Sequence, residues 1–578
     1  MSKLTAWAHA LRRTVEHFPA AGFILAMAVP FPVLGDEPEL RNWKNFPVPH
    51  GTPATERPCD AELLKVLPAL RAAPPFSDES RQRGIARWWG DPNEIQFMEQ
   101  PPSSVDLERR GIIQTPPGED EPLLLGVWGI TRTGPVTLSV EKSPFPLTIR
   151  HIEFEPHYVP TAHKGRKTEG GRVLGFATYL PEQGITYVRP GERSVFWINV
   201  EVPKGTVPGD YELTFEMIIH QKEVLHPKAT VKVLDFELPR ADAAFGMYFR
   251  PVPKLPQRYR KPNLMRAYWR DMARHGMTSA TIYNYAGHIY DDEGGLKIDG
   301  NADIQTLKDM MADGLVTGDV PIMWLGSLKE KAAPAIRDEF KRRGWPELLK
   351  YSQDEPPVSD ASLAYFKAEQ PIRKFFRTIT AISEHPSRTY ADMLDVHVVL
   401  VGVISPDLQA HLKSHGAEVW TYTYHFRGRG NVPQQRFYAG LYTWALGLKG
   451  NFLWCYTEGY AWEGDRYDAF CQVLPSDSGP VPSAAWEGRR EGVEDYRTLR
   501  YLESLIAADP QRTEAKEAKT WLEQIRGRVD WYLARDMPVS DYPWDSCELY
   551  PMCPNFEPRE LSEVRATAVQ HIQNLSVD

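Results

Sequence analysis

Cysteine is scarce in this chain, with five in 578 residues (Cys59, Cys455, Cys471, Cys547 and Cys553). They are too scattered for a disulfide framework, and none forms a C-x-x-C pair, which argues against a zinc ribbon or a thioredoxin-type redox site. Cys547 and Cys553 either bridge within the C-terminal loop or stand as two thiols, and the odd total leaves at least one cysteine of a monomer unpaired. Beyond residue 35 no apolar run reaches the roughly 18 residues of a membrane span, so no span is expected. Positive charge is not in excess: 67 Lys and Arg face 76 Asp and Glu, a formal net charge of −9. Such a chain repels phosphate overall, and a nucleic-acid partner is not expected. Also missing are a G-x-G-x-x-G turn after the first barrel-type strand, a P-loop, a G-x-S-x-G elbow and any His/Asp/Glu cluster with metal-ligand spacing. Neither a cofactor nor a catalytic metal is therefore expected.

What is present is ordinary globular material, 42% hydrophobic and 25% charged, which excludes a largely disordered chain. With 50 Pro, 41 Gly and an 11% aromatic share, the protein is rich in loops and in flat apolar side chains. The length corresponds to about four domain units, or fewer if one is a β/α barrel of roughly 250 residues. Residues 1–35 read as a secretory signal: Arg12 and Arg13 precede the apolar stretch Ala20–Ala28. Cleavage is expected after Ala26-Met27-Ala28 or Val33-Leu34-Gly35. Pro30 and Pro32 end a helix where a signal should end, although an ordinary N-terminal helix fits the same residues. The expectation is a soluble protein, secreted or periplasmic.

Residues 36–104 are irregular, Pro-rich and charged, with one helix predicted at Ala61–Ala73. Over residues 105–240 the rhythm becomes that of short strands: Leu123–Trp128, Val136–Val140, Leu147–Phe154, Arg172–Tyr179, Ser194–Val202, Tyr211–Ile219 and Thr230–Phe236. Turn residues such as Pro208-Gly209-Asp210 separate them, and seven strands with no helical period between predict a β-sandwich. After Pro239 strands and amphipathic helices alternate. Eight apolar runs fall at Phe245–Phe249, Ser279–Tyr283, Pro321–Leu325, Leu348–Gln353, Thr378–Ser383, Val396–Gly402, Glu418–Tyr424 and Asn451–Tyr456. This predicts a (β/α)8 TIM-like barrel over 241–480, with a doubly wound open sheet as the alternative. Residues 481–578 form a C-terminal helical region, with helices at Trp486–Leu502 and Arg512–Leu533.

Active sites of β/α barrels lie at the C-terminal ends of the strands. The fourth run leads straight into Asp354-Glu355 and then Pro356-Pro357, which puts two adjacent carboxylates at a strand exit. Neighbours on a strand normally face opposite sides, but at a bulged end both can turn inward. An acid and an ionised partner are what glycoside hydrolysis needs. Adjacent carboxylates cannot readily straddle a sugar ring. They suit a mechanism in which the substrate's own 2-acetamido oxygen attacks, the aspartate orients that group and the glutamate protonates the leaving oxygen. The competing reading is an N-cap pair for a helix starting near Ser359. Aromatic and polar residues at other strand ends (Tyr283-Asn284-Tyr285, Trp324, Tyr422, Tyr424, His425, Trp454, Tyr456 and, just beyond, Trp462) suit the faces and rims of pyranose rings, although each aromatic alone also suits packing. A glycosidase for a sugar without an acetamido group would need a carboxylate on another strand, and Glu458 and Asp465 are available. A carbohydrate-binding protein without catalysis is the third reading.

Five stretches carry a family resemblance: Gly440–Tyr456 (GLYTWALGLKGNFLWCY), Ala485–Tyr496 (AWEGRREGVEDY), and Phe196–Pro203 with Pro208–Phe215 and Val233–Pro239. Together they resemble the last barrel strand, the following helix and the leading β-sandwich of proteins with the DUF4091 domain, which are related to glycoside hydrolase family 123. The resemblance spans roughly residues 105–505. It implies an exo-acting β-N-acetylgalactosaminidase with substrate-assisted retention, in which Asp354 orients the acetamido group and Glu355 is the general acid/base. It also implies a sugar pocket drawn from Asn284, Trp324, Tyr422, Tyr424, Trp454, Tyr456 and Trp462, with a glycan or glycoconjugate as substrate. Glu494 and Asp495 are expected to be structural, tying the last helix to the barrel.

Overall fold

The computed structural model describes residues 74–94, 97–164, 167–401, 404–423, 431–457, 471–529 and 555–576. The expected signal (1–35), the helix at Ala61–Ala73, Cys59, Cys547 and Cys553 lie outside these residues. Among the described residues no helix is long and apolar enough to cross a membrane.

The first part consists of separate, mainly antiparallel sheets. One has the order β1-β3-β9-β5, from Ile85–Gly90 (β1), Asp120–Gly129 (β3), Leu147–His151 (β5) and Arg193–Glu201 (β9). Another has the order β2-β12-β10-β4-β8, from Gly111–Thr115 (β2), Gly134–Lys142 (β4), Ile185–Val188 (β8), Gly209–Ile219 (β10) and Lys228–Val233 (β12). Among the described residues Phe154–Lys164 (β6) and Lys167–Ala177 (β7) pair only with each other, and Glu223–Leu225 (β11) pairs with β10. Leu123, Leu125 and Val127 of β3 and Phe196, Ile198 and Val200 of β9 share a core with Leu138, Leu213, Phe215, Met217 and Val231 of the second sheet. Their neighbours Leu124, Trp128, Val195 and Trp197 pack into a different cluster with Val432 and Ala484. Both faces of the first sheet are therefore covered, which is why β3 and β9 read as nearly continuous apolar runs rather than as alternating strands. Strand β1 falls in the stretch expected to be irregular. Ile85, Trp88 and Trp89 supply enough buried surface to recruit it, and Gly126 on β3 leaves the gap that the Trp88 ring fills.

The second part is a nearly closed parallel sheet of eight strands. These are Ala244–Tyr248 (β13), Thr281–Ile282 (β14), Ile322–Trp324 (β15), Leu348–Tyr351 (β16), Thr378–Ala381 (β17), Val396–Leu400 (β18), Glu418–Thr423 (β19) and Gly450–Trp454 (β20), in the order β13-β20-β19-β18-β17-β16-β15-β14. Every one lies within or overlaps an expected run. At the seam, the Thr278 and Ser279 amides donate to the Phe245 carbonyl, both at 2.9 Å. Alternate residues fill the interior, among them Met323, Leu349, Ile379, Val398, Trp420 and Phe452. The outward set packs against helices, including Pro262–Arg274 (α1), Ala302–Ala312 (α2), Ala333–Arg342 (α3), Asp360–Arg373 (α4), Glu384–Thr389 (α5), Pro406–Ser414 (α6) and Val432–Phe437 (α7). A π-helical turn, Tyr438–Tyr442, continues α7.

Ala484–Ala508 (α8), Thr513–Arg528 (α9) and Glu560–Ser576 (α10) form the C-terminal helices. Gly488 and Gly492 lie four residues apart on α8 and so on one face. A Cβ at Gly488 would lie 2.5 Å from the Val432 carbonyl oxygen, and one at Gly492 would collide with the Arg436 carbonyl, so the two backbones touch. Around this seam runs a buried ion network. Arg436 donates two bonds to Asp495, at 2.6 and 2.9 Å, and Arg565 of α10 pairs with Asp495, Glu494 and Glu121 of β3. Arg490 pairs with Glu487, Glu491 and Glu494, while Arg489 donates to the Asn451 carbonyl on β20 at 2.8 Å. Glu494 and Asp495 thus join the first sheet, the barrel and the last helix.

Candidate active site

The fourth barrel strand shows how the site is aimed. Leu349 and Tyr351 point into the barrel, while Lys350 points out and bonds Glu369 of α4 at 2.9 Å. Past Tyr351 the chain stays tied to β17, because the Ser352 amide donates to Ile379 (2.8 Å) and the Glu355 amide to Ala381 (3.1 Å). Between these ties the backbone turns left-handed at Glu355, with φ of 42°. Apart from the turn residues His220 and Gln221, no other non-glycine among the described residues has positive φ. That conformation costs an L-residue about 1–2 kcal/mol, and such strain clusters at functional positions.

The bend reverses the alternation that would separate two neighbouring side chains. Tyr351 donates its hydroxyl to Asp354 Oδ1 at 2.6 Å, and Tyr422 of β19 donates to Glu355 Oε1 at 3.1 Å. Both tyrosines belong to the barrel interior, so both carboxylates stand over the mouth. Both acids are exposed to solvent, and among the described residues neither makes an ion pair. The capping role falls elsewhere: Ser359 Oγ accepts the Ser362 amide at the start of α4.

An aromatic wall surrounds them. The Tyr248 ring lies 6.4 Å from Tyr351 and 5.6 Å from Trp454, and the Arg250 guanidinium sits 4.6 Å over Trp454 and 6.0 Å from Tyr283. Tyr283 stacks on the exposed Tyr285 with centroids 5.8 Å apart. Burial, and then the charges of Asp354 and Glu355, push the Tyr248 hydroxyl above its ordinary pKa. Burial, with Tyr248 and Asp354 nearby, pushes Tyr351 well above it. Burial together with Tyr248 does the same to Tyr283, against the opposing pull of Arg250. Burial thus disfavours ionisation of all three phenols, and Tyr351 donates its proton to Asp354.

Of the residues read from the sequence, the structure brings together Asp354, Glu355, Tyr283, Tyr285, Tyr422 and Trp454. Trp324 is fully buried and turned outward, toward the layer between barrel and helices, because its neighbours Met323 and Leu325 take the interior. Tyr456 is in the same outer layer, where its hydroxyl donates to Asp271 at 2.8 Å. Asn284 sits beside Trp324 and Gly326, and its amide satisfies Asp303 Oδ2 at 3.0 Å at the start of α2. Tyr424, His425, Glu458, Trp462 and Asp465 lie outside the described residues. Sequence reasoning missed Tyr248, Arg250 and Tyr351. The last could have been found by counting inward from Leu349 in steps of two.

Among the described residues one trio of carboxylates, Glu121, Glu491 and Glu494, converges closely enough to share a metal ion. Arg436, Arg490 and Arg565 already pair with these carboxyl groups.

No protein-family model and no curated protein matches this sequence. Solved structures do. The chain is similar to a family 123 glycoside hydrolase from Clostridium perfringens, whose structure was analysed for glycolipid glycan hydrolysis. The identity is 11%, with a TM-score of 0.59, over 85% of this chain and 99% of that one. A second match, to a GH5 xyloglucanase from Bacteroides ovatus in complex with a XXXG heptasaccharide, has 8% identity over 69% of this chain and 100% of that one, and a TM-score of 0.29. At such identity the first likeness is one of fold.

Proposed function

We propose that this protein is a retaining exo-glycoside hydrolase that releases a terminal β-linked N-acetylhexosamine, with N-acetylgalactosamine as the first candidate. The observation that carries the reading is the left-handed turn at Glu355, which sets two adjacent carboxylates over one aromatic-walled barrel mouth. In this scheme the substrate's acetamido oxygen attacks the anomeric carbon while Glu355 gives its proton to the glycosidic oxygen, and the C–O bond to the aglycone breaks. The product is a cyclic oxazolinium ion, whose N–H is held by Asp354 and whose positive charge that carboxylate balances. Glu355, now ionised, takes a proton from water. The hydroxide attacks the anomeric carbon, the ring opens, and the sugar leaves with its β configuration retained.

The aromatic wall supports a pyranose ligand, since C–H faces pack on rings while hydroxyls bond at the rim. The fold likeness to a family 123 enzyme supports the same reading. The inward aim of both acids favours turnover over binding alone. With the signal expected in residues 1–35, the working location is outside the cytoplasm. The deciding experiment is hydrolysis of nitrophenyl β-N-acetylgalactosaminide and β-N-acetylglucosaminide, with the first-released anomer followed by NMR. Release of the β-anomer, slowed at least about 100-fold in Glu355→Gln, is the expected result. Cleavage unaffected by that substitution would remove Glu355 from the mechanism.

A further inference from the structure

We infer that Tyr351 and Tyr422 are paired positioning residues that decide which oxygen of each carboxylate does the work. This rests on the functional reading above and adds two residues to it. Each tyrosine donates its single proton to one oxygen of one acid: Tyr351 to Asp354 Oδ1 at 2.6 Å, Tyr422 to Glu355 Oε1 at 3.1 Å. Tyr351 is fixed in this role, because its own oxygen accepts the Ala381 amide at 3.2 Å and its ring is buried beside Tyr248. Its hydroxyl proton is thereby directed to Asp354. Tyr422 is equally buried, on the strand across the barrel.

The chemical consequence differs for the two acids. With Oδ1 of Asp354 occupied by a donor, Oδ2 is left to accept the acetamido N–H, and the carboxylate cannot rotate without breaking a charge-assisted bond. With Tyr422 donating to Oε1 of Glu355, the acid's proton is favoured on Oε2, because a protonated Oε1 would force the Tyr422 hydroxyl to turn its own proton away. Oε2 is then the oxygen that serves the leaving group. One tyrosine sets up the attack and the other sets up the proton transfer.

The two roles are separable by substrate. Tyr422→Phe is expected to slow hydrolysis of a β-N-acetylgalactosaminide with a poor, alkyl-type leaving group about ten- to hundredfold, the scale of one hydrogen bond to a charged group. It should slow a dinitrophenyl glycoside far less, because that leaving group needs no proton. Tyr351→Phe should lower kcat for both leaving groups alike, with KM little changed. Its loss should appear in full for an N-trifluoroacetyl substrate, whose weaker amide nucleophile makes the attack rate-limiting. Equal losses across leaving groups in Tyr422→Phe, or full activity in either variant, would overturn the assignment. Melting temperatures, with the comparison of substrates on a single variant, keep a folding defect from imitating either pattern. If the wild-type protein cleaves none of these glycosides, the functional reading fails. If Glu355→Gln slows cleavage as expected while both phenylalanine variants behave as wild type, only this inference fails.

Discussion

Replacing Asp495 by leucine should destabilise the protein by about 3 kcal/mol, the lower end of the range for breaking a buried ion pair. Arg436 is 2% exposed and gives Asp495 both of its short bonds, while Arg565 gives it a third. Without the carboxylate, Arg436 keeps Glu491 at 3.6 Å and Arg565 keeps Glu494 at 3.2 Å, which holds the loss toward the low end. Removing both partners at once strands less charge. Arg436→Met/Asp495→Leu should therefore cost at least about 1.5 kcal/mol less than the two single changes added together. Urea is the denaturant of choice, since guanidinium would screen the network, and tryptophan fluorescence reports the transition. A loss below about 1 kcal/mol for Asp495→Leu, or strict additivity in the cycle, would refute the view that this network joins the sheets, barrel and last helix.

Other expectations follow from the same geometry. Glu355→Gln should lower kcat by about 10²–10⁴-fold, the ordinary range for a general acid, while the fold melts within a few degrees of wild type. Burial, with Glu491 beside it, pushes the Glu121 carboxyl up to about 8 against the pull of Arg565, Arg490 and Arg436, so the folded protein holds a proton that the unfolded chain releases near its ordinary value. The stability this gives is complete below the ordinary carboxylate range and is lost as pH rises toward and through about 8. Glu121→Gln should flatten that decline in urea melts at pH 5 and pH 8. Gly492→Ala drives a methyl group into the Arg436 carbonyl and should cost about 1–3 kcal/mol, whereas Gly527→Ala, where a Cβ meets open space, should be neutral or stabilising.

The barrel was legible because each strand needs an unbroken apolar run and each return helix a 3.6-residue stripe, and both periods survive in the sequence. The inward or outward sense of a strand's last residue was not. Trp324 sits in a run as rich as that of Tyr422, yet its place in the alternation turns it to the helix layer; in the last run the alternation breaks, with Trp454 and Cys455 both against the interior and Tyr456 in the helix layer. Strand β1 was hidden because its signal, Trp88 and Trp89, sits in a stretch rich in charge and proline. The Asp354-Glu355 pair was legible as two acids at a strand exit where a bulged end can turn both inward, but the left-handed torsion that does so was not. A left-handed Glu leaves no compositional mark, unlike a glycine in the same place.

That bend has a consequence for relatives of this protein. The barrel closes through pairings that do not depend on Glu355, so the scaffold and the aim of its acids are set by different residues. A homologous barrel that relaxed the turn into ordinary extended backbone would keep both carboxylates in its sequence while swinging one away from the mouth. Retention of the two letters is then a poor guide to whether both acids face one cavity, and the torsion of a single peptide unit is the better one.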